Sequence, residues 1–224
     1  MKKLALFDLD HTLLPLDSDN EWGQFLVRQG QVDAAEFGRK NADFYAQYQA
    51  GTLDPDEYLR FALGTLARFA PEHLAALRAQ FMQEVIQPAL LPAAFALLQR
   101  HRDAGDLLAI VTATNRYVTE PIAQALGVPH LVAAEPELDS QGRITGRLSG
   151  RHNNGEGKIH NTRSWLQRLG HDWDSFDAIH FYSDSHNDIP LLSVVSHPVA
   201  TNPNTRLSAH AKAQGWPELN LFDD

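Results

Sequence analysis

Asp8 and Asp10 follow the apolar run Leu4-Ala5-Leu6-Phe7, close to the start of the chain. An ionised aspartate is a competent nucleophile toward phosphorus, and a second carboxylate beside it can protonate a leaving oxygen and then activate water. Asp184 stands in Ser183-Asp184-Ser185-His186-Asn187-Asp188, after another apolar run. Brought together by neighbouring strands, Asp8 and Asp184 would be hard oxygen ligands of the kind Mg²⁺ accepts, together with waters and a substrate phosphate. Thr112, in Thr112-Ala113-Thr114-Asn115, can donate to a phosphate oxygen, and Thr114 and Asn115 are grouped with it as phosphate contacts. Lys158, in Gly155-Glu156-Gly157-Lys158, can neutralise the charge that spreads over a transferring phosphoryl group. Each piece alone has an ordinary reading: a turn acid, a β-branched strand residue, a first-turn lysine, a helix cap. In series, they form a set of parts for phosphoryl transfer.

The elements that must position these parts alternate. The residues at 3–7, 107–112, 130–134, 178–183 and 197–200 read as buried strands, and those at 93–102, 118–126, 158–169 and 188–193 as helices. The 135–149 stretch reads as a hairpin around Asp139-Ser140-Gln141-Gly142. Between Pro15 and Gln87 the pattern is helical instead, with segments at 21–28, 34–49, 56–66 and 71–85 and no strand. Alternation of this kind predicts an α/β fold with a doubly wound parallel sheet, carrying a helical insertion after the first strand. The polar stretches then fall at the carboxyl ends of strands, where open sheets bind ligands.

The four motifs together resemble the haloacid dehalogenase superfamily of phosphatases, in the subfamily that contains phosphoserine phosphatase. Phe7-Asp8-Leu9-Asp10-His11-Thr12-Leu13-Leu14 matches the first motif and Val111-Thr112-Ala113-Thr114-Asn115 the second. Lys158 matches the third, and Tyr182-Ser183-Asp184-Ser185-His186-Asn187-Asp188 the fourth. The resemblance spans nearly the whole chain. It implies a Rossmann-like core over 1–15 and 88–224, a helical cap over 16–87 and a small antiparallel flap before the lysine. It also implies Asp8 as nucleophile, Asp10 as acid and base, and Thr112 and Lys158 holding the phosphoryl group. Mg²⁺ would be bound by the Asp8 side chain, the Asp10 backbone carbonyl and Asp184, with Asp188 orienting metal waters or Lys158. Ser183 departs from the glycine that many members carry before the fourth-motif aspartate. An aspartate ordinarily titrates near pH about 3.9, so Asp10 as an acid requires surroundings that favour its protonated form.

The chain leaving the first motif carries Asp17, Asp19 and Glu21 beside Trp22. Their plain reading is a helix cap with first-turn acids. The functional reading is an acidic pocket with an aromatic wall, suited to a cationic amine. Leu16-Asp17-Ser18-Asp19-Asn20-Glu21-Trp22-Gly23 resembles a group in the superfamily assigned as histidinol-phosphate phosphatases. Phosphoserine would also need a cation for its carboxylate, and Arg28, Arg39, Lys40 and Arg60 are the cap cations on offer. The expected substrate is a small aminoalkyl phosphate, histidinol phosphate first and phosphoserine second.

Composition narrows the alternatives. The chain has 224 residues, no cysteine and a formal net charge of −9. Thiol nucleophiles, disulfides and zinc thiolates are excluded, and a polyanion such as nucleic acid finds no basic face. The 11 histidines show no zinc-helix spacing, although His11 inside the first motif could touch substrate or cap. The N-terminal apolar run ends at Asp8, short of the roughly 7–15 residues of a signal sequence, and no stretch approaches the roughly 18 of a membrane span. A cytoplasmic protein acting on a small phosphate ester, without membrane or nucleic acid, is the expectation. A phosphotransferase to an alcohol acceptor and a receiver-like signalling module share the chemistry of an aspartyl-phosphate. The receiver has no need of the helical insertion or of Asp10. Oligomeric state is not legible in the sequence.

Overall fold

In the computed structural model, which describes residues 2–222, β1 (Lys3–Phe7) lies in the middle of the sheet. Its side chains alternate between two cores. Ala5 and Phe7 enter one, Leu4 and Leu6 the other, so every one of these positions is apolar.

Four helices follow: α1 (Ser18–Arg28), α2 (Phe37–Ala50), α3 (Pro55–Leu66) and α4 (Pro71–Phe81). Asp17 caps α1 and Asp54 caps α3, each accepting two backbone N–H groups. The helix expected over 71–85 does not run through. It widens into a π turn at Met82–Ile86, where the Gln87 N–H bonds the Met82 carbonyl, before the short α5 (Gln87–Ala89). Pro88 supplies no N–H for the carbonyl four residues back, and the wider turn absorbs that loss.

The alternation then resumes with α6 (Pro92–Asp103), β2 (Leu107–Asn115), α7 (Arg116–Ala125) and β3 (His130–Ala134). A two-stranded antiparallel flap, β4 (Pro136–Leu138) and β5 (Ile144–Leu148), comes next. The remaining elements are α8 (Glu156–Arg168), β6 (Ala178–Ser183), α9 (Ile189–Leu192), β7 (His197–Thr201), α10 (Thr205–Gln214) and β8 (Glu218–Leu219). The main sheet has the order β3-β2-β1-β6-β7-β8, every pair parallel, with helices on both faces. The chain leaves β1 for β2 on one side and returns to β6 on the other, so the switch point falls at the carboxyl end of β1.

The sequence reading did not anticipate α10 or β8. The helix buries only Leu207 and Ala211, too thin a stripe to stand out, and the strand is a two-residue addition to β7. No single helix among the described residues is long and apolar enough to cross a membrane.

Candidate active site

The switch point is built by a tight turn. After β1, the Leu9 carbonyl gathers the N–H groups of Thr12, Leu13 and Leu14 at 3.2, 2.8 and 3.1 Å. His11 takes a positive φ of 55°, and the Asn202 amide holds the His11 and Thr12 carbonyls at 2.9 and 3.2 Å. The turn leaves the side chains of Asp8 and Asp10 on one cavity.

The two carboxylates are held differently. Asp8 Oδ1 accepts from Lys158 Nζ at 3.0 Å, and the same ammonium donates to Asp188 Oδ2 at 2.6 Å. Asp10 is gripped by neutral donors: the Ser18 N–H on Oδ1 and the Thr114 hydroxyl on Oδ2, both at 2.8 Å. Thr112 Oγ1 accepts from the Thr114 N–H at 3.1 Å, which leaves its own hydroxyl proton for another acceptor. Asp184 is fastened to the first turn, its N–H donating to Thr12 Oγ1 at 3.0 Å and its Oδ1 accepting from the same hydroxyl at 3.3 Å.

Burial and an excess of negative charge govern the electrostatics. Burial pulls the Lys158 ammonium down, but Asp188 and Asp8 outweigh it and hold it above the usual lysine range. One ammonium cannot balance three carboxylates. Asp8 is pushed up to about 7 by burial, against the pull of Lys158, with Asp188 and Asp10 adding to the rise. Asp184 is raised well above the ordinary carboxylate range by burial, then by Asp8 and Asp188. Asp10 is pushed up to about 6 by burial and by Asp17, while hydrogen bonds from Ser18 and Thr114 pull the other way. Asp10 therefore has the protonatable surroundings that its expected role requires.

That deficit of positive charge is what a hard dication would fill. No group of three or more His, Asp or Glu side chains among the described residues converges on one metal position. What remains is two carboxylates, Asp8 and Asp184, near enough for the charge of the first to raise the second. An oxygen set that small suits Mg²⁺, which keeps several waters and uses one or two carboxylates with a substrate phosphate. The donor chemistry fits.

The structure brings Asp8, Asp10, Thr112, Thr114, Lys158 and Asp188 to this cavity. Asp184 faces an adjoining cavity that shares Ser185, Tyr45 and Tyr48 with the first; His11 lines that second cavity, away from Asp10. Three expectations change. Asn115 does not reach the cavity wall: it is 1% exposed, its amide donates to Asp19 Oδ1 at 3.1 Å and its oxygen caps α7 at the Val118 N–H. Trp22 is packed against Phe25 and Phe81 in the core, because an indole there buries more apolar surface than a pocket wall would. Glu21 is absent from the cavity lining and faces Arg28 at 3.9 Å, a pair in which Glu21 is half-buried and Arg28 exposed. Asp17 and Asp19 do line the cavity.

Several contributors had no legible signal. Ser183 Oγ donates to Asp188 Oδ2 at 2.7 Å, so the serine at the usual glycine position steadies the acid that orients Lys158. Asn153, fully buried, donates to the carbonyls of Thr112 and Val132 at 2.7 and 2.9 Å and ties the loop before α8 to the ends of β2 and β3. Phe44, Tyr48 and Tyr58 form the upper wall from α2 and α3. Their helical spacing matches that of ordinary core residues, so only the folded chain separates them.

The geometry agrees with comparisons to known proteins. The model of the haloacid dehalogenase-like hydrolases matches residues 5–193. A histidinol-phosphatase of Neisseria meningitidis is 44% identical over 221 residues, covering 99% of this chain and 100% of the relative. A solved protein of unknown function from Bordetella pertussis superposes with a TM-score of 0.94 at 47% identity, over 99% of this chain and 100% of that one. A substrate-bound phosphoserine phosphatase shares the fold, with a TM-score of 0.69 at 17% identity over 98% and 93% of the two chains.

Proposed function

The chain belongs to the haloacid dehalogenase-like hydrolase family, and on that premise we propose that it is a Mg²⁺-dependent phosphatase of small amine-bearing phosphomonoesters, histidinol phosphate first and phosphoserine second. The carrying observation is that two neighbouring carboxylates face one cavity in different settings: Asp8 against Lys158, and Asp10 between Ser18 and Thr114. That difference divides nucleophile from acid.

Asp8 attacks phosphorus as the ester bond to the leaving oxygen breaks, and Asp10 delivers its proton to that oxygen. The Asp8 aspartyl-phosphate is then opened by a water whose proton returns to Asp10, releasing phosphate and restoring Asp8 as a carboxylate and Asp10 as a carboxylic acid. Thr112 and Lys158 hold the phosphoryl oxygens, and Asp188, steadied by Ser183, aims Lys158. Mg²⁺, when bound by the Asp8 and Asp184 carboxylates and the Asp10 carbonyl, neutralises phosphate charge. Residues 16–87 serve as the cap that closes the cavity over the core. Asp17 and Asp19 supply negative charge to its substrate end, while Lys158 and His152 are the sole lining residues able to carry positive charge among the described ones. Arg28, Arg39, Lys40 and Arg60 are absent from the lining, which favours an amine over a carboxylate. The 44% identity to a histidinol-phosphatase supports the same order of substrates.

The test is a panel of phosphomonoesters assayed with Mg²⁺ for the wild type and Asp8→Asn. Turnover of histidinol phosphate above phosphoserine and above uncharged esters is expected, with activity lost in the variant. Unchanged activity in Asp8→Asn would overturn the chemistry; equal turnover of charged and uncharged esters would overturn the substrate class.

A further inference from the structure

We propose that Tyr48, carried by the cap helix α2, is a phosphoryl-binding residue whose hydroxyl donates a hydrogen bond to a phosphoryl oxygen from the cap side of the cavity. The inference rests on the phosphatase reading above and gives the cap a direct part in the transfer step.

Two cavities meet at Tyr48. It lines the one that holds Asp8, Asp10, Thr112 and Lys158, and also the adjoining one that Asp184 faces; Ser185 is the core residue that shares both walls with it. The Tyr48 hydroxyl stands beside the Ser185 side chain. Ser185 Oγ accepts the Asn187 N–H at 3.2 Å, which leaves the serine proton for the Tyr48 oxygen. The phenolic proton then remains for an acceptor beyond that pair. One turn further along the chain, the end of α2 is pressed against the core. A Cβ on Gly51 would stand 2.6 Å from Arg206 Nη1 and 2.8 Å from His186 Nε2. That close approach holds the Tyr48 ring over the loop that carries Asp184.

Other donors on the cap wall are committed elsewhere. The Tyr58 hydroxyl pairs with Asp19, and the Asn41 amide donates to the Asn20 carbonyl and side-chain oxygen at 3.2 and 2.8 Å. Tyr45 meets Gln49, and the charge that acts on it most is Asp17. Tyr48 faces different charges. Burial holds its hydroxyl proton on well above the ordinary phenol range, and Asp184 and Asp8 add to that ahead of Asp17. It is therefore an intact O–H donor at the nucleophile end of the cavity. A transferring phosphoryl group spreads its charge over three equatorial oxygens, and Thr112 and Lys158 approach them from the core. A neutral O–H from the cap adds attraction among the carboxylates without a further charge to desolvate, and it is already in place when the charge develops.

The experiment compares wild type and Tyr48→Phe on two esters that share only the phosphoryl group, phosphoethanolamine and phenyl phosphate. The variant is expected to lose about 10–100-fold in kcat on both, the size of one hydrogen bond to a charged group, with KM within about threefold. Calorimetric titration with orthovanadate and Mg²⁺ should show vanadate bound at least tenfold more weakly by the variant, while Mg²⁺ alone binds both proteins equally and the urea midpoint is unchanged. A loss confined to one ester would place Tyr48 on the leaving group and overturn the assignment. So would a parallel fall in Mg²⁺ affinity, or unchanged kcat and vanadate affinity. Failure of the underlying reading is separate: the wild type would then hydrolyse neither ester, and the vanadate titration would still decide for or against Tyr48.

Discussion

Asp10 is the residue whose surroundings make the sharpest demand on pH. Raised from 3.8 to about 6 by burial and Asp17, it is on the order of a hundredfold more protonated at pH 7 than an ordinary aspartate. If transfer to Asp8 limits the rate, kcat/KM should fall as pH rises past about 6, because only the protonated carboxyl can serve the leaving oxygen. A pH–rate series should show that descending limb for the wild type and none for Asp10→Asn, whose residual rate follows only the ionisation of Asp8 and so does not fall as pH rises. Lys158 sets a different expectation. Its side chain lies between Asp8 and Asp188, at 3.0 and 2.6 Å. Lys158→Met strands two buried carboxylates and should cost about 3–5 kcal/mol at pH 7.5 in urea unfolding, along with activity. Part of that loss should return at pH 5, where the carboxylates can take up protons instead.

At the scale of elements, the helical block is tied to the core by two unlike joints. Pro121 lies inside α7 and offers no N–H to the Tyr117 carbonyl. Arg78 of α4 takes that place: its Nη1 donates to the Tyr117 carbonyl at 3.0 Å, and its guanidinium lies 4.2 Å from the centre of the Tyr117 ring. Arg78→Ala should therefore lower stability by about 1.5–3 kcal/mol, more than an ordinary half-buried arginine would, since it leaves a carbonyl unpaired. The second joint is α3 against the flap strand β5. Gly146 has φ of +86°, and a Cβ built there would stand 3.3 Å from Gly64 Cα. Gly146→Ala should destabilise by about 1–2 kcal/mol from its left-handed backbone alone. Gly64→Ala should do the reverse, by about 0.5–1 kcal/mol, because a methyl group there meets nothing within 4 Å and helix interiors disfavour glycine. Thermal and urea unfolding of the two single variants would show opposite signs.

For the whole molecule, the acidic site trades stability for readiness to bind. Asp8, Asp10 and Asp19 titrate at about 7, 6 and 7 in the folded chain, above the unfolded value of about 3.9. Between those limits the folded state holds protons that the unfolded chain has shed, so stability from these groups falls as pH rises from about 4 to 7. His180, lowered to about 4 by burial and then by His101 and His197, acts in the opposite sense, its contribution being lost as pH falls from 6.5. Three carboxylates outweigh one half-exposed histidine. The metal-free protein is expected to melt higher at pH 5.5 than at pH 7.5, and Mg²⁺ should raise Tm more at pH 7.5, where it displaces fewer protons. A melt that is flat or rising over this range, and insensitive to Mg²⁺, would contradict the charge deficit at Asp8 and Asp184.

What the sequence determined by itself was whatever repeats along the chain. Strands such as β1 and β6, the helical insertion, and the motif residues Asp8, Asp10, Thr112, Lys158, Asp184 and Asp188 all carry local signals, since burial period and residue chemistry are written residue by residue. What only the tertiary structure decided was direction. Trp22 and Asp19 lie on the same short helix three residues apart, yet one is packed on Phe81 and the other lines the cavity. Asn115 reads as a phosphate donor until Asp19 and the α7 cap claim both ends of its amide. Tyr58 and Phe44 read as core residues until α2 and α3 are set over the sheet. Spacing states which residues share a face of an element; only the packing of elements distant in sequence states what that face meets.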